Sequence, residues 1–261
     1  MDLMRARVTL RERPLLDVLD LSLRFFAAHV PDYALISCAV TLPAFALSWA
    51  SARLGDWALA WVTTVVLTSL ATAPFVALAS RLVFADAVRV RDVLGLALRA
   101  TPRLAGARLL QLLALAASLL LTGLPWIWAG TASLFVVEVS VLEQAGVVAS
   151  LGRAQRIANA HFGAALLAMV LLGLAPLSAA MLFDVAGREL LQGVLEVKAP
   201  PSMFTDGGSV LALLGWWFSV PVVATARFFV YLDIRTRSEG WDIQTRFAAI
   251  AARAAAAGAP S

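Results

Sequence analysis

The chain has 261 residues, is 61% hydrophobic and only 15% charged, and has a mean hydropathy of +0.84. Soluble domains run near half apolar and a quarter charged, so this composition excludes a soluble globular protein and points to an integral membrane protein. The net charge of +4 and the pI near 10.2 come from arginines that flank apolar runs, with Lys198 the only lysine, so the pattern speaks against a nucleic-acid-binding domain.

The first fourteen residues carry Arg5, Arg7, Arg11 and Arg13. No short apolar core with a small-residue cleavage site follows, so no removable signal peptide is expected. Next comes Asp17-Val-Leu-Asp-Leu-Ser-Leu-Arg24, which returns later as Asp92-Val-Leu-Gly-Leu-Ala-Leu-Arg99. On a helix, Arg13, Asp17, Asp20 and Arg24 fall on one stripe, with Leu16, Leu19, Leu23 and Phe26 on other faces. Asp20 and Arg24 form an i, i+4 pair in the favoured order. Such a helix is expected to lie in the inner membrane interface, apolar side down. The second copy keeps Asp92, Arg99 and Arg103 on its stripe but has Gly95 in place of Asp20.

Six stretches have the roughly 20 mainly apolar residues that a membrane helix needs: 30–52, 57–83, 104–123, 125–142, 162–183 and 209–232. A third, diverged charged element covers 143–161, with Arg153 and Arg156 ahead of the fifth span. The chain thus predicts an all-α polytopic fold of six spans with interfacial amphipathic helices. Its unit, an amphipathic helix and two spans, would occur three times. With the N-terminus in the cytoplasm, 18 of the 21 basic residues fall on the inner side, leaving Arg53, Arg188 and Lys198 outside. The positive-inside rule then puts both termini in the cytoplasm. Trp49, Trp57, Trp61, Trp126 and Trp128 stand near the predicted outer ends, where an amphipathic indole prefers the headgroup layer. The stretch 185–197 is expected as a helix on the outer surface. Residues 1–247 form one domain, and 248–261 an alanine-rich tail.

Glu138 stands inside the fourth span. A carboxylate at that depth suggests a transport or proton role by default. A structural pair with an arginine such as Arg227 is the simpler reading, and closeness to the interface, one turn from Glu143, is a further one. Pro43, Pro74, Pro176 and Pro221 lie within four spans, as hinges or as ordinary membrane prolines. Ala71-Thr-Ala-Pro74 and Gly163-Ala-Ala are small-residue faces suited to close packing. Cys38, the single cysteine, reads as a buried small hydrophobe. His29 and His161 lack the HExxH spacing of a zinc site. The chain also has no G-x-S-x-G elbow and no phosphate loop. No catalytic centre, metal or cofactor is expected.

After the sixth span comes Tyr231-Leu-Asp-Ile-Arg-Thr-Arg-Ser-Glu-Gly-Trp-Asp242. It resembles the Y-x-D-x-R-x-R-x-E-G-x-D tail of bacterial six-span proteins grouped with the membrane domain of glycerophosphoryl diester phosphodiesterases. Tyr231, Asp233, Arg235, Arg237, Glu239, Gly240 and Asp242 carry the match. Leu142 to Arg156 is similar to the same family's segment after the fourth span, through Glu143, Arg153 and Arg156. Ala154 and Gln155 depart from the serine and tryptophan often found there. The resemblance implies a six-span domain in the bacterial inner membrane. It does not imply phosphodiesterase activity, which belongs to a separate barrel of roughly 250 residues for which this chain has no room.

Arg235 and Arg237 are expected to reach anionic headgroups, worth about 1 kcal/mol each. Asp233, Glu239 and Asp242 would pair with arginines of the amphipathic helices, and Gly240 would let the chain turn along the membrane. The functional expectation is a non-enzymatic membrane scaffold or accessory subunit. Its partners would be anionic inner-leaflet lipids and a second copy or another protein. The alternative is a transporter of small solutes or lipids that uses Glu138.

Overall fold

A computed structural model of the chain describes residues 14–84, 88–120 and 124–239. The expectations for the N-terminal arginines, Gly240, Asp242 and the alanine-rich tail lie outside the described residues. Among the described residues every regular element is helical. In chain order these are α1 (Leu15–Ala28), α2 (Val30–Leu54), α3 (Trp57–Phe84), α4 (Val90–Leu120), α5 (Leu124–Ala132), α6 (Val136–Leu142), α7 (Val147–Ala160), α8 (Phe162–Glu189), α9 (Met203–Asp206) and α10 (Val210–Glu239).

Five stretches are long and apolar enough to cross a membrane: Val30–Leu54, Trp57–Phe84, Pro125–Leu142, Phe162–Val194 and Val210–Ser238. The chain is an all-helical membrane protein. Helix α4 has 31 residues. It is not among the five, and it carries Arg91, Asp92, Arg99, Arg103 and Arg108.

The two octapeptide copies take different forms. The first is a separate helix, α1, which stops at His29 (φ −120°, ψ 22°). Pro31, in the first turn of α2, has no N–H to continue the ladder. The second copy is the opening of one continuous helix, α4, with Pro102 inside it. Helix α7 matches α1: both have 14 residues, and α7 stops at His161 (φ −138°, ψ 58°) before α8. The stretch expected as an outer surface helix instead prolongs α8, which runs to Glu189 and ends in a π turn, Leu190–Val194.

Helices α3 and α10 occupy the centre. Helix α10 packs on α8, α3, α2 and α1, and α3 on α2, α4, α6 and α10. Residues 71–79 of α3 are buried all the way round. In lipid there is no hydrophobic drive for helices to pair, so close fit of small residues holds them together. The Ala71–Pro74 face is used in that way. Gly163 is exposed, and of its segment only Ala165 is buried. Cys38 is also exposed, on the outside of α2 rather than in the core. A thiol is apolar enough to face lipid, so burial is not required of it.

Gly215 sets the closest approach of α10 to α8. A Cβ there would fall on the Ala179 carbonyl oxygen and lie 2.8 Å from the Phe183 Cβ. Gly95 in α4 has nothing within 4 Å of a Cβ. Gly215→Ala should therefore lower stability by about 1–3 kcal/mol through overpacking. Gly95→Ala should leave it unchanged or raise it by up to about 1 kcal/mol. Thermal unfolding of the two variants in detergent checks the contrast.

Candidate functional site: a buried charge ladder between α6 and α10

Residues four apart on a helix share a face, so Arg227, Tyr231 and Arg235 form one stripe along α10. The facing element is α6, whose first turn holds Glu138 and whose C-cap is Glu143. Glu138 is fully buried, and Arg227 Nε donates to its Oε1 at 2.6 Å. Glu143 Oε1 accepts from the Tyr231 hydroxyl at 2.7 Å and from Arg235 Nη1 at 3.0 Å. Its Oε2 pairs with Arg153 of α7. Arg235 Nη1 also donates to the Tyr231 hydroxyl at 2.6 Å. One carboxylate thus joins α6, α7 and α10.

Helix α4 closes the ladder from the other side. Arg103 Nη1 donates at 2.6 Å to the carbonyl of Gln144, a residue in left-handed backbone (φ 53°) beside Glu143. Deeper in the bundle, Arg108 Nη1 donates to Gln111 Oε1 at 2.5 Å, and Gln111 Nε2 to Ser133 Oγ at 2.7 Å. Arg108 lies close enough to Arg227 and Glu138 for their charges to act on it. Four arginines (Arg108, Arg153, Arg227, Arg235) therefore surround two carboxylates. Glu138 Oε2, Ser140 Oγ, Arg108 Nε and Arg227 Nη2 are buried without a hydrogen-bond partner among the described residues. Taking such ions out of water is costly, and their pairing repays it only in good geometry. Removing one partner of the Glu138–Arg227 pair strands the other charge.

The structure thus brings together Glu138, Glu143, Arg153, Arg227, Tyr231 and Arg235, from two segments some 90 positions apart in the chain. It corrects the expected role of Arg235, which binds inward and is 13% exposed rather than reaching for headgroups. The phenol and carboxylate of the ladder supply the charge and hydrogen bonds that lipid phosphates would otherwise offer. Asp233 pairs with Arg237 on its own helix at 2.8 Å. Arg156 is exposed. Glu239 is the last residue of α10. Asp20 and Arg24 form the expected pair at 2.8 Å on the exposed side of α1, where Asp17 is exposed too. Asp92 and Arg99 are exposed, whereas Arg103 turns inward.

At the opposite end of the bundle stands a carboxylate one residue past the expected end of the fifth span. Asp184 of α8 is fully buried. It accepts from Ser202 Oγ at 3.0 Å, from the Met203 N–H at 3.2 Å and from Ser209 Oγ. Arg188, one turn on, donates to the Pro200 carbonyl. Trp61 Nε1 donates to the Gly207 carbonyl at 2.9 Å, and Gly207 takes a left-handed φ of 78°. This end is a polar clasp that holds the α8–α10 connection on the helices. The one signal in the sequence was that Asp184 continues an apolar run with helical spacing.

No family model, curated protein or solved structure matches this chain.

Glu138→Gln should cost about 3–5 kcal/mol because Arg227 is left buried and unpaired, whereas Glu138→Leu with Arg227→Met should recover most of that loss. A double-mutant cycle by thermal unfolding checks it. Asp184→Ala should leave the helices folded but expose 195–209 to protease, so limited proteolysis should cut there several times faster than in the wild type.

Proposed function

We propose that this chain is a six-span membrane domain that acts as a scaffold or accessory subunit and not as an enzyme. Helix α4 supplies the sixth span in this reading. With six spans, the arginine-rich end faces the cytoplasm with both termini, by the positive-inside rule. The equal lengths of α1 and α7, each ended by a histidine before a long helix, support a repeated unit of interfacial helix and two spans. The Tyr231–Asp242 and Leu142–Arg156 motifs support kinship with the six-span proteins grouped with the glycerophosphoryl diester phosphodiesterase membrane domain, without the catalytic barrel. The membrane would be a bacterial inner membrane.

One observation carries the scaffold reading: Glu138, the sharpest candidate for transport, is fully buried and held by Arg227. A proton carrier needs a carboxylate that meets water on each side in turn. Here the intramembrane charges are used to tie α6, α7 and α10 together. The exposed charges of α1 and α7 then form a collar for anionic lipids, for a second copy or for another protein. The second reading, a carrier of small solutes or lipids, draws on the unpartnered Glu138 Oε2, Arg227 Nη2 and Arg108 Nε.

Two measurements test this reading, the first its six spans and the second the choice between scaffold and carrier. Reporter fusions after Gly55, Gly123 and Glu196 should lie on one side of the membrane, and those after Asp86, Gln144 and Ser261 on the other. In vesicles loaded with pH- and ion-sensitive dyes, wild type and Glu138→Gln should give the same flux as protein-free vesicles. A flux that depends on Glu138 would replace the scaffold by the carrier.

A further inference from the structure

The two octapeptide copies differ at one charged position, and that difference shapes a surface. In α1, Asp20 pairs with Arg24 at 2.8 Å. In α4, Gly95 stands where Asp20 does, so Arg99 has no acid one turn back. Among the described residues Arg99 forms no ion pair. Gly95 and Arg99 line a cleft of about 700 Å³ between the end of α3 and the first turns of α4. Arg81 and Arg91 line it too, and among the described residues that line it Asp92 is the one acid. Three arginines facing one aspartate leave an excess of positive charge there.

Glycine inside a helix costs about 1 kcal/mol relative to alanine. Packing gives no reason for it here, because a Cβ on Gly95 would meet nothing within 4 Å. What the glycine does is leave Arg99 without a carboxylate one turn back. Leucines line the same cleft, and Leu98 is 70% exposed beside Arg99. Arginines next to exposed leucines at the end of a long apolar helix suit an amphiphile better than a free ion.

We propose that the cleft formed by Arg81, Arg91, Gly95 and Arg99 binds the phosphate of an anionic phospholipid. The guanidinium groups take the phosphate oxygens, and Leu94 and Leu98 lie along the glycerol and upper chains. In copy one Arg24 is paired inside the octapeptide with Asp20, and in copy two Arg99 is left to pair with the lipid phosphate. The proposal rests on the reading that α3 and α4 span the bilayer and meet its surface at this end.

The test uses the full chain in nanodiscs of phosphatidylcholine with a minor share of phosphatidylglycerol. Native mass spectrometry counts the lipids that stay bound. Wild type should retain phosphatidylglycerol in preference to phosphatidylcholine. Gly95→Asp, which restores an acid one turn before Arg99, should cut that preference by about fivefold, the worth of one arginine at an anionic surface. Gly95→Ala and Arg24→Gln should retain it, and equal unfolding temperatures show that all variants are folded. Equal preference in wild type and Gly95→Asp overturns the site. So does an equal loss in Arg24→Gln, which would mean general charge attraction. Inorganic phosphate that displaces the lipid from wild type at matched concentration overturns the lipid in favour of a free anion. Failure of the six-span reading would show in the reporter fusions and not in this lipid ratio.

Discussion

Everything at the arginine-rich end of this protein hangs on one carboxylate. Glu143 ends α6, and its two oxygens hold Tyr231 and Arg235 of α10 and Arg153 of α7. A short helix such as α6, with only seven residues, has little stability of its own. Its position is set by what its ends grip. Glu138 grips the same neighbour, α10, five residues earlier, through Arg227. Two carboxylates on one short helix thus register α6 against α10 along the axis, and a slide by one turn would strand both.

This explains how polar groups serve a bundle that has no hydrophobic drive to assemble. Small residues in α3 and Gly215 in α10 allow helices to come close, but close fit alone permits several registers. Charge pairs are costly to misplace in a low-dielectric setting, so they select one. The far end uses a different device for the same purpose. Asp184, Ser202, Ser209 and the Trp61 indole fasten a loop that has little helix of its own. Between these two ends apolar packing is joined by a few buried hydrogen bonds between helices, such as Thr225 to the Tyr33 hydroxyl at 2.8 Å and the Trp217 indole to Ser48 at 3.3 Å.

The charges that remain outside fall into two kinds. Asp20 and Arg24 pair with each other on the exposed side of α1. Arg81, Arg91 and Arg99 face a common cleft with one acid, Asp92, among the described residues that line it. A paired charge needs no outside partner, whereas an unbalanced set of arginines is open to an anionic group.

Much of the architecture was legible in the sequence because it depends on composition and spacing. Apolar runs of membrane length marked α2 and α3 nearly to their observed ends and the starts of α8 and α10, which run on past the expected ends at 183 and 232. Asp20–Arg24 was readable because an i, i+4 pair is local. The Glu138–Arg227 pair was readable only as one option among several, since nothing local chooses the partner of a buried carboxylate. The meeting of Glu143 with Tyr231 and Arg235 joins two motifs that looked independent, and the inward turn of Arg235 reversed its expected contact with headgroups. Asp184 fell outside the expected fifth span because that span was ended at its first charge, although the helical spacing runs on through it. Sequence by itself determined which segments are helices and which ends are charged, since those follow from near-neighbour chemistry. Tertiary structure alone decided which charges are satisfied, because that depends on which helix stands opposite, and only packing sets that.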